Sequence, residues 1–84
     1  MYYIYVLYSL KDKKFYIGKT TNLGERLNKH SRGEVRSTKN RRPLQLVHFE
    51  EFKEARLAFL RERELKLPSA GRFKKELKER LKLP

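Results

Sequence analysis

Cysteine is absent from this 84-residue chain. That excludes a disulfide scaffold, a thiol nucleophile and every zinc site built on thiolates. Acidic side chains are scarce: 10 Asp and Glu stand against 22 Lys and Arg, a formal charge of +12. Such an imbalance points to a polyanionic partner, nucleic acid first and an anionic membrane second. Long hydrophobic runs are also missing. The apolar opening from Met1 to Tyr8 gives way to Lys11-Asp12-Lys13-Lys14, too short for a signal segment or a membrane span. The expectation is a soluble, cytoplasmic chain with no membrane association. No internal repeat, linker or low-complexity tract divides it, which implies one domain over residues 1–84.

What is present suffices for a small core. Hydrophobic and charged residues each make up 38% of the chain, and a domain of this size buries only about 60% of its unfolded surface. Roughly three strands and three helices fit. The stretch Tyr2 to Ser9, rich in Tyr, Ile and Val, reads as a strand. Phe15 to Gly18 reads as a second, with Leu10 to Lys14 as the hairpin loop. An even loop puts Tyr5 opposite Tyr16 on one face of the sheet. Asn22 with Glu25 three residues later resembles a capping box opening a helix from Leu23 to about Ser31, and Gly33 ends it. A basic loop from Glu34 to Arg42 leads through Pro43 to a third strand, Leu44 to Phe49. A helix from about Lys53 to Lys66 follows, broken by Pro68-Ser69-Ala70-Gly71. The last helix, about Arg72 to Lys82, stacks Phe73, Leu77 and Leu81.

Two of these helices carry polar residues inside their apolar stripes. At ~100° per residue, Leu23 and Leu27 define the inward face of the first, and Arg26 and His30 fall on it one turn apart. In the second, Ala55, Ala58, Phe59 and Leu65 define the stripe, with Glu62 near its centre and Lys66 one turn on. An inward carboxylate, guanidinium and imidazole are costly unless they pair, bind metal or line a cleft. Each also has a plain structural reading: an interhelical salt bridge, a hydrogen-bonded histidine, tyrosines packed across strands. His48, on the third strand with Leu46, receives no role. Periodicity does not choose between these readings.

The residues Tyr3-Ile4-Tyr5 and Tyr16-Ile17-Gly18, followed by Lys19-Thr20, Asn22-Leu23, Arg26-Leu27 and His30, make the chain resemble the GIY-YIG nuclease superfamily. Ser37-Thr38-Lys39, Arg42-Pro43-Leu44 and Ala58-x-x-x-Glu62-x-Glu64-Leu65-Lys66 extend the likeness to its small stand-alone members, over nearly all of the chain. Tyr3 stands where the first tripeptide usually has glycine. The resemblance implies an α+β fold, a three-stranded antiparallel sheet flanked by about three helices, and relatives in bacterial excision repair, homing endonucleases and restriction enzymes. It implies hydrolysis of a DNA phosphodiester with one divalent ion, Mg²⁺ or Mn²⁺. Tyr5, Tyr16, Lys19, Arg26 and His30 are then the catalytic positions and Glu62 the metal ligand.

These residue types suit that chemistry. A single carboxylate can hold Mg²⁺, which keeps most of its waters. Arg26 offers a planar, permanently charged fork to the phosphate. A phenol flanked by the cations Lys19 and Arg26 is favoured as phenolate, so Tyr16 is the expected base, with Tyr5 or His30 relaying the proton. Arg32, Arg36, Lys39, Arg41 and Arg42 lie between the first helix and the third strand, where DNA could track; as plain loop charges they would simply be solvated. Three functions follow. One is a metal-dependent endonuclease of branched, damaged or single-stranded DNA, tied to repair or recombination. The alternative is a non-catalytic nucleic-acid binder that keeps the fold. Membrane-surface binding through Phe73, Leu77 and Leu81 ranks last, because so small a domain needs that stripe for its core.

Overall fold

The computed structural model describes residues 1–84. The central strand β1 (Tyr2–Ser9) is paired antiparallel with β2 (Phe15–Thr20) on one side and β3 (Leu44–Phe52) on the other, giving the order β2-β1-β3. Helices α1 (Leu23–Ser31), α2 (Ala55–Leu65) and α3 (Gly71–Arg80) flank the sheet, so the expected α+β architecture is present. Side chains alternate across a strand. Ile4 and Val6 therefore share one face with Ile17, and there they pack with Ala58, Leu65, Ala70 and Leu77 of the α2–α3 layer. Tyr5 and Leu7 point to the other face, towards α1, and every residue from Ile4 to Ser9 is buried. No helix is long and apolar enough to cross a membrane.

The β1–β2 register differs from the expected one. Tyr5 lies opposite Gly18, and Tyr16 lies opposite Leu7. The two tyrosines keep a common face, but they are diagonal neighbours. Pairing Tyr5 with Tyr16 would leave only Leu10 and Lys11 in the turn, and neither residue favours the positive φ of a two-residue hairpin. The chain instead forms a longer turn. Ser9 donates its N–H to the Lys14 carbonyl at 2.9 Å, the Lys13 N–H donates to the Ser9 carbonyl at 2.9 Å, and Lys13 takes φ 60°. The Ser9 hydroxyl accepts from the N–H groups of Lys11 and Asp12 at 3.2 and 3.1 Å.

Strand β3 runs three residues past Phe49 and carries a bulge. Val6 faces His48 while Leu7 faces Leu46, so the register slips at Val47. Simple alternation would put Leu46 and His48 on one face; the extra residue separates them. His48 and Glu50 thereby reach the α2–α3 layer, where His48 Nε2 lies 2.8 Å from Glu50 and Arg61 donates two bonds of 2.9 Å to the same carboxylate. His48 thus hydrogen-bonds to the Glu50–Arg61 ion pair that ties β3 to α2.

Three expected core residues lie outside, the first being Ala55, exposed at the opening turn of α2. Phe59 is 51% exposed and Leu81 44% exposed. The buried side of α2 is set by Ala58 and Leu65, two turns apart; Phe59 sits ~100° round from Ala58 and leaves the core. α3 ends at Arg80, and Leu81 belongs to its cap. α1 starts where expected, with Asn22 Oδ1 accepting from the Glu25 N–H at 3.0 Å, but the return half of the capping box differs: the Glu25 carboxylate accepts from the Asn22 side-chain amide at 3.4 Å, and the Asn22 N–H donates to the Thr20 hydroxyl at 3.1 Å.

Gly18 makes room for the Tyr5 ring. A Cβ built there would sit 2.3 Å from Tyr5 Cζ and Oη, whereas one at Gly71 meets nothing within 4 Å. Gly18→Ala should cost about 1–3 kcal/mol through overpacking. Gly71→Ala, at the exposed first turn of α3, should gain about 0.4–1 kcal/mol. Urea denaturation of both variants checks this, and equal effects would contradict it.

Candidate active site

Helix α1 turns Arg26 and His30 towards the face of the sheet that carries Tyr5. His30, only 1% exposed, is held at both ring nitrogens. Its Nε2 lies 2.8 Å from the Tyr5 hydroxyl and its Nδ1 2.7 Å from the Thr38 hydroxyl. Thr38 in turn reaches the Val35 carbonyl at 3.5 Å, and Arg26 Nε donates to the Tyr5 hydroxyl at 3.3 Å.

The direction of the protons follows from what each end can do. Arg26 can only donate to the Tyr5 oxygen, so the Tyr5 O–H has His30 Nε2 as its acceptor; His30 then carries its proton on Nδ1 and donates to the Thr38 hydroxyl. Nε2 is then bare and takes the hydrogen bond of the Tyr5 O–H. In the reverse direction Tyr5 would accept from both His30 and Arg26, and its own proton would be buried without an acceptor, a loss of about 1–3 kcal/mol. The observed set leaves no buried side-chain polar atom unpaired.

Electrostatics agree with this direction. Burial raises the Tyr5 hydroxyl above the usual phenol range, outweighing the Arg26 hydrogen bond and charge that pull it down; the nearby Glu62 carboxylate adds to the rise. Burial, aided by the Arg26 charge, pushes His30 down to about 4, so the imidazole is neutral at pH 7. The Tyr5 contact raises Arg26 further, and Tyr16 also lies close enough to contribute. Tyr5 is consequently a neutral donor committed to His30.

Tyr16 is placed differently. It is half-buried, its ring 6.4 Å from that of Tyr5 and 5.4 Å from that of His30, and its hydroxyl accepts from Ser37 at 3.3 Å. No hydrogen bond joins it to Tyr5 or His30, so the expected relay from Tyr16 through either residue is not wired directly. Lys19 leaves the other side of β2 and lies over the Phe59 ring at 5.5 Å. Glu62 is one turn of α2 beyond Phe59. The candidate residues therefore wrap the free edge of β2, with Tyr5, Tyr16, Arg26 and His30 on the α1 side and Lys19 and Glu62 on the α2 side.

Glu62 keeps about one fifth of its side chain exposed, and its carboxylate is 3.3 Å from Lys66 Nζ. Nowhere do three His, Asp or Glu side chains converge as a cage. A lone, reachable carboxylate suits a hard ion that retains its waters and does not suit one needing a full protein shell.

The basic residues divide. Arg41 is drawn inward, donating from Nε to Asp12 at 2.6 Å and from Nη2 to the Phe15 carbonyl at 3.4 Å; this pair holds the Asp12 carboxyl down to about 2. Arg41 is thus a strut and not the open loop cation expected. Arg42 donates to the carbonyls of Lys39 and Ser31 at 3.0 and 3.2 Å, lying across Gly33, whose φ is +76°. Arg32 is paired with Glu34 at 2.5 Å. Arg36 and Lys39 are exposed and form no ion pair. Thr38 and Ser37, which support His30 and Tyr16, received no role from the sequence; a Ser-Thr pair in a basic loop has no periodicity to mark it.

A family model described as the GIY-YIG catalytic domain matches residues 1–78. The chain is similar to a UPF0213 protein of Natronomonas pharaonis, 43% identical over 89% of this chain and 86% of that one. A UPF0213 protein of Staphylococcus haemolyticus is 38% identical over 94% and 96%. The solution NMR structure of a UPF0213 protein from Bacillus halodurans has the same fold, with TM-score 0.56, 35% identity, and coverage of 92% of this chain and 82% of that one.

The His30 environment has a measurable consequence. Below pH 6.5 the unfolded chain protonates this imidazole while the folded chain refuses the proton until about pH 4. Stability should fall as pH drops through that window and level off below it, by about 3 kcal/mol. Glu34 and Glu50 are held low by their arginine partners, and Asp12 likewise, so their losses come at lower pH. Urea midpoints across the window should show the decline in the wild type and not in His30→Gln; parallel profiles would contradict it.

Proposed function

The chain belongs to the GIY-YIG catalytic-domain family and to its UPF0213 relatives, and from that membership and the geometry we propose that it is a metal-dependent, structure-selective DNA endonuclease serving repair or recombination. The family makes this a nuclease-type domain with nucleic acid as its substrate class, and nucleases of the family use divalent metals. The observation that carries the reading is the contrast between the two motif tyrosines. Tyr5 is buried and committed to His30, whereas Tyr16 is half-buried with its hydroxyl at the surface.

In this reading Arg26 binds a non-bridging phosphate oxygen. Its Nε is engaged by Tyr5, which fixes the plane of the guanidinium and leaves the terminal nitrogens as a fork. That fork tightens its hold as negative charge builds on the pentacovalent phosphorus. The Tyr16 oxygen acts as the phenolate: beside the Arg26 charge and held by the Ser37 hydroxyl, it takes the proton of the attacking water and becomes the phenol. Tyr5 and His30 keep Arg26 and the sheet face in register and exchange no proton with substrate. Lys19, on the Glu62 side of the β2 edge, adds a second cation for the phosphate. Glu62 would hold one Mg²⁺ or Mn²⁺, which when bound supplies charge neutralisation at the phosphate and leaving oxygen.

The test is cleavage of nicked, flapped, branched and single-stranded DNA with and without Mg²⁺ or Mn²⁺. Cuts should require the metal and vanish in Glu62→Ala. Tyr16→Phe should slow the single-turnover rate by about 10²–10⁴-fold with an unchanged urea midpoint. Tyr5→Phe should act mainly on stability. Tight binding with no metal-dependent cut on any substrate, or a Tyr16→Phe protein cutting at wild-type rate, would overturn the assignment.

A further inference from the structure

The largest cleft in the molecule is not at the β2 edge. It holds about 540 Å³ and lies between the β1–β2 turn, the C-terminal end of α1 and the segment leading into β3. Lys11, Lys39 and Arg42 line it together with Ser31 and Asn40, and no carboxylate does. The two acids adjacent in sequence to this region are already satisfied: Asp12 by Arg41 and Glu34 by Arg32. Lys11 and Lys39 take part in no ion pair. Arg42 spends Nε and Nη1 on backbone carbonyls, which orients the guanidinium and leaves Nη2 free. Three cations around one concavity repel one another unless an anion joins them, and a fixed guanidinium beside flexible ammonium groups is suited to phosphate oxygens.

The cleft also adjoins the candidate active site along the chain. His30 and Ser31 are consecutive, the first in the hydrogen-bonded chain to Tyr5 and the second in the cleft. Ser37, which touches Tyr16, is two residues from Lys39, at most ~7 Å of extended chain. A strand whose scissile phosphate meets Tyr16 and Arg26 can therefore continue over the Ser37–Lys39 segment into the cleft. We propose that the Lys11–Lys39–Arg42 cleft is a second phosphodiester-binding site, seating the DNA backbone a few nucleotides from the cut. Its direction relative to the cut rests on the nuclease reading; the binding itself does not.

Fluorescence anisotropy with a labelled DNA three-way junction, in EDTA and over a range of KCl, tests it. Lys11→Gln/Lys39→Gln removes two exposed charges from the cleft, and Lys75→Gln/Lys78→Gln removes two exposed charges from α3. The cleft variant should lose about tenfold in affinity at low salt, and its log–log salt slope should become shallower by about 1.8, two phosphate contacts' worth. The α3 variant should keep a near-wild-type slope. If both pairs shift affinity and slope equally, the cleft is no site and only net charge matters. Adding Mg²⁺ separates the two claims. Cutting at saturating DNA by the cleft variant at the wild-type rate supports a docking role, while a wild type that never cuts but shows the slope difference overturns the nuclease reading and leaves the cleft.

Discussion

The hydrogen bond between the Tyr5 hydroxyl and His30 Nε2, 2.8 Å long and wholly buried, is the constraint on which the candidate site depends. It joins the central strand to α1 at the point where a hydrophobic contact would be the ordinary solution. It exists because Gly18 has no side chain, so the Tyr5 ring can lie across β2. It has one direction because Arg26 can only donate to the Tyr5 oxygen, which leaves His30 Nε2 to accept the Tyr5 proton. A buried polar chain satisfied along its whole length specifies one geometry, since any rearrangement strands a donor or an acceptor. The Arg26 side chain inherits that geometry through its bond to the Tyr5 oxygen.

This arrangement separates two phenols that look equivalent in the motif. Burial fixes Tyr5 in its neutral form and uses its proton for support. Tyr16 stays near the surface, two residues along the hairpin, with Ser37 donating to its hydroxyl and Arg26 close by. The guanidinium between them is oriented by the buried tyrosine and presented beside the half-buried one. Lys19 lies on the opposite face of the sheet, over Phe59 of the helix that carries Glu62. An edge strand is the one part of a covered sheet where groups from both faces can meet one substrate, which gives a small domain access to both layers of side chains.

The sequence made much of this legible where periodicity and caps carry it. The strands and helices, the Asn22 cap and the inward placement of Arg26 and His30 follow from 2.0- and 3.6-residue repeats. The hairpin register did not follow, because it turns on how Ser9 and Lys13 close the loop, and a shift of two residues preserves the pattern of faces. The β3 bulge was hidden for a related reason: one extra residue at Val47 separates Leu46 from His48 without altering composition. Charge alone could not show that Arg41 and Arg42 serve the fold while Lys11, left out of the basic loop, lines its cleft. Phe59 shows the limit of counting apolar residues on a helix whose inner face is partly polar.

The central claim is that His30 is neutral, protonated at Nδ1, and accepts the Tyr5 proton at Nε2. Nitrogen-15 NMR of the histidine ring in the folded protein reads both points directly. The account predicts two widely separated ring resonances at neutral pH, with Nε2 as the unprotonated, far-downfield nitrogen and no change of form until the pH approaches about 4. Two closely spaced imidazolium resonances at neutral pH, or a proton found on Nε2, would contradict it.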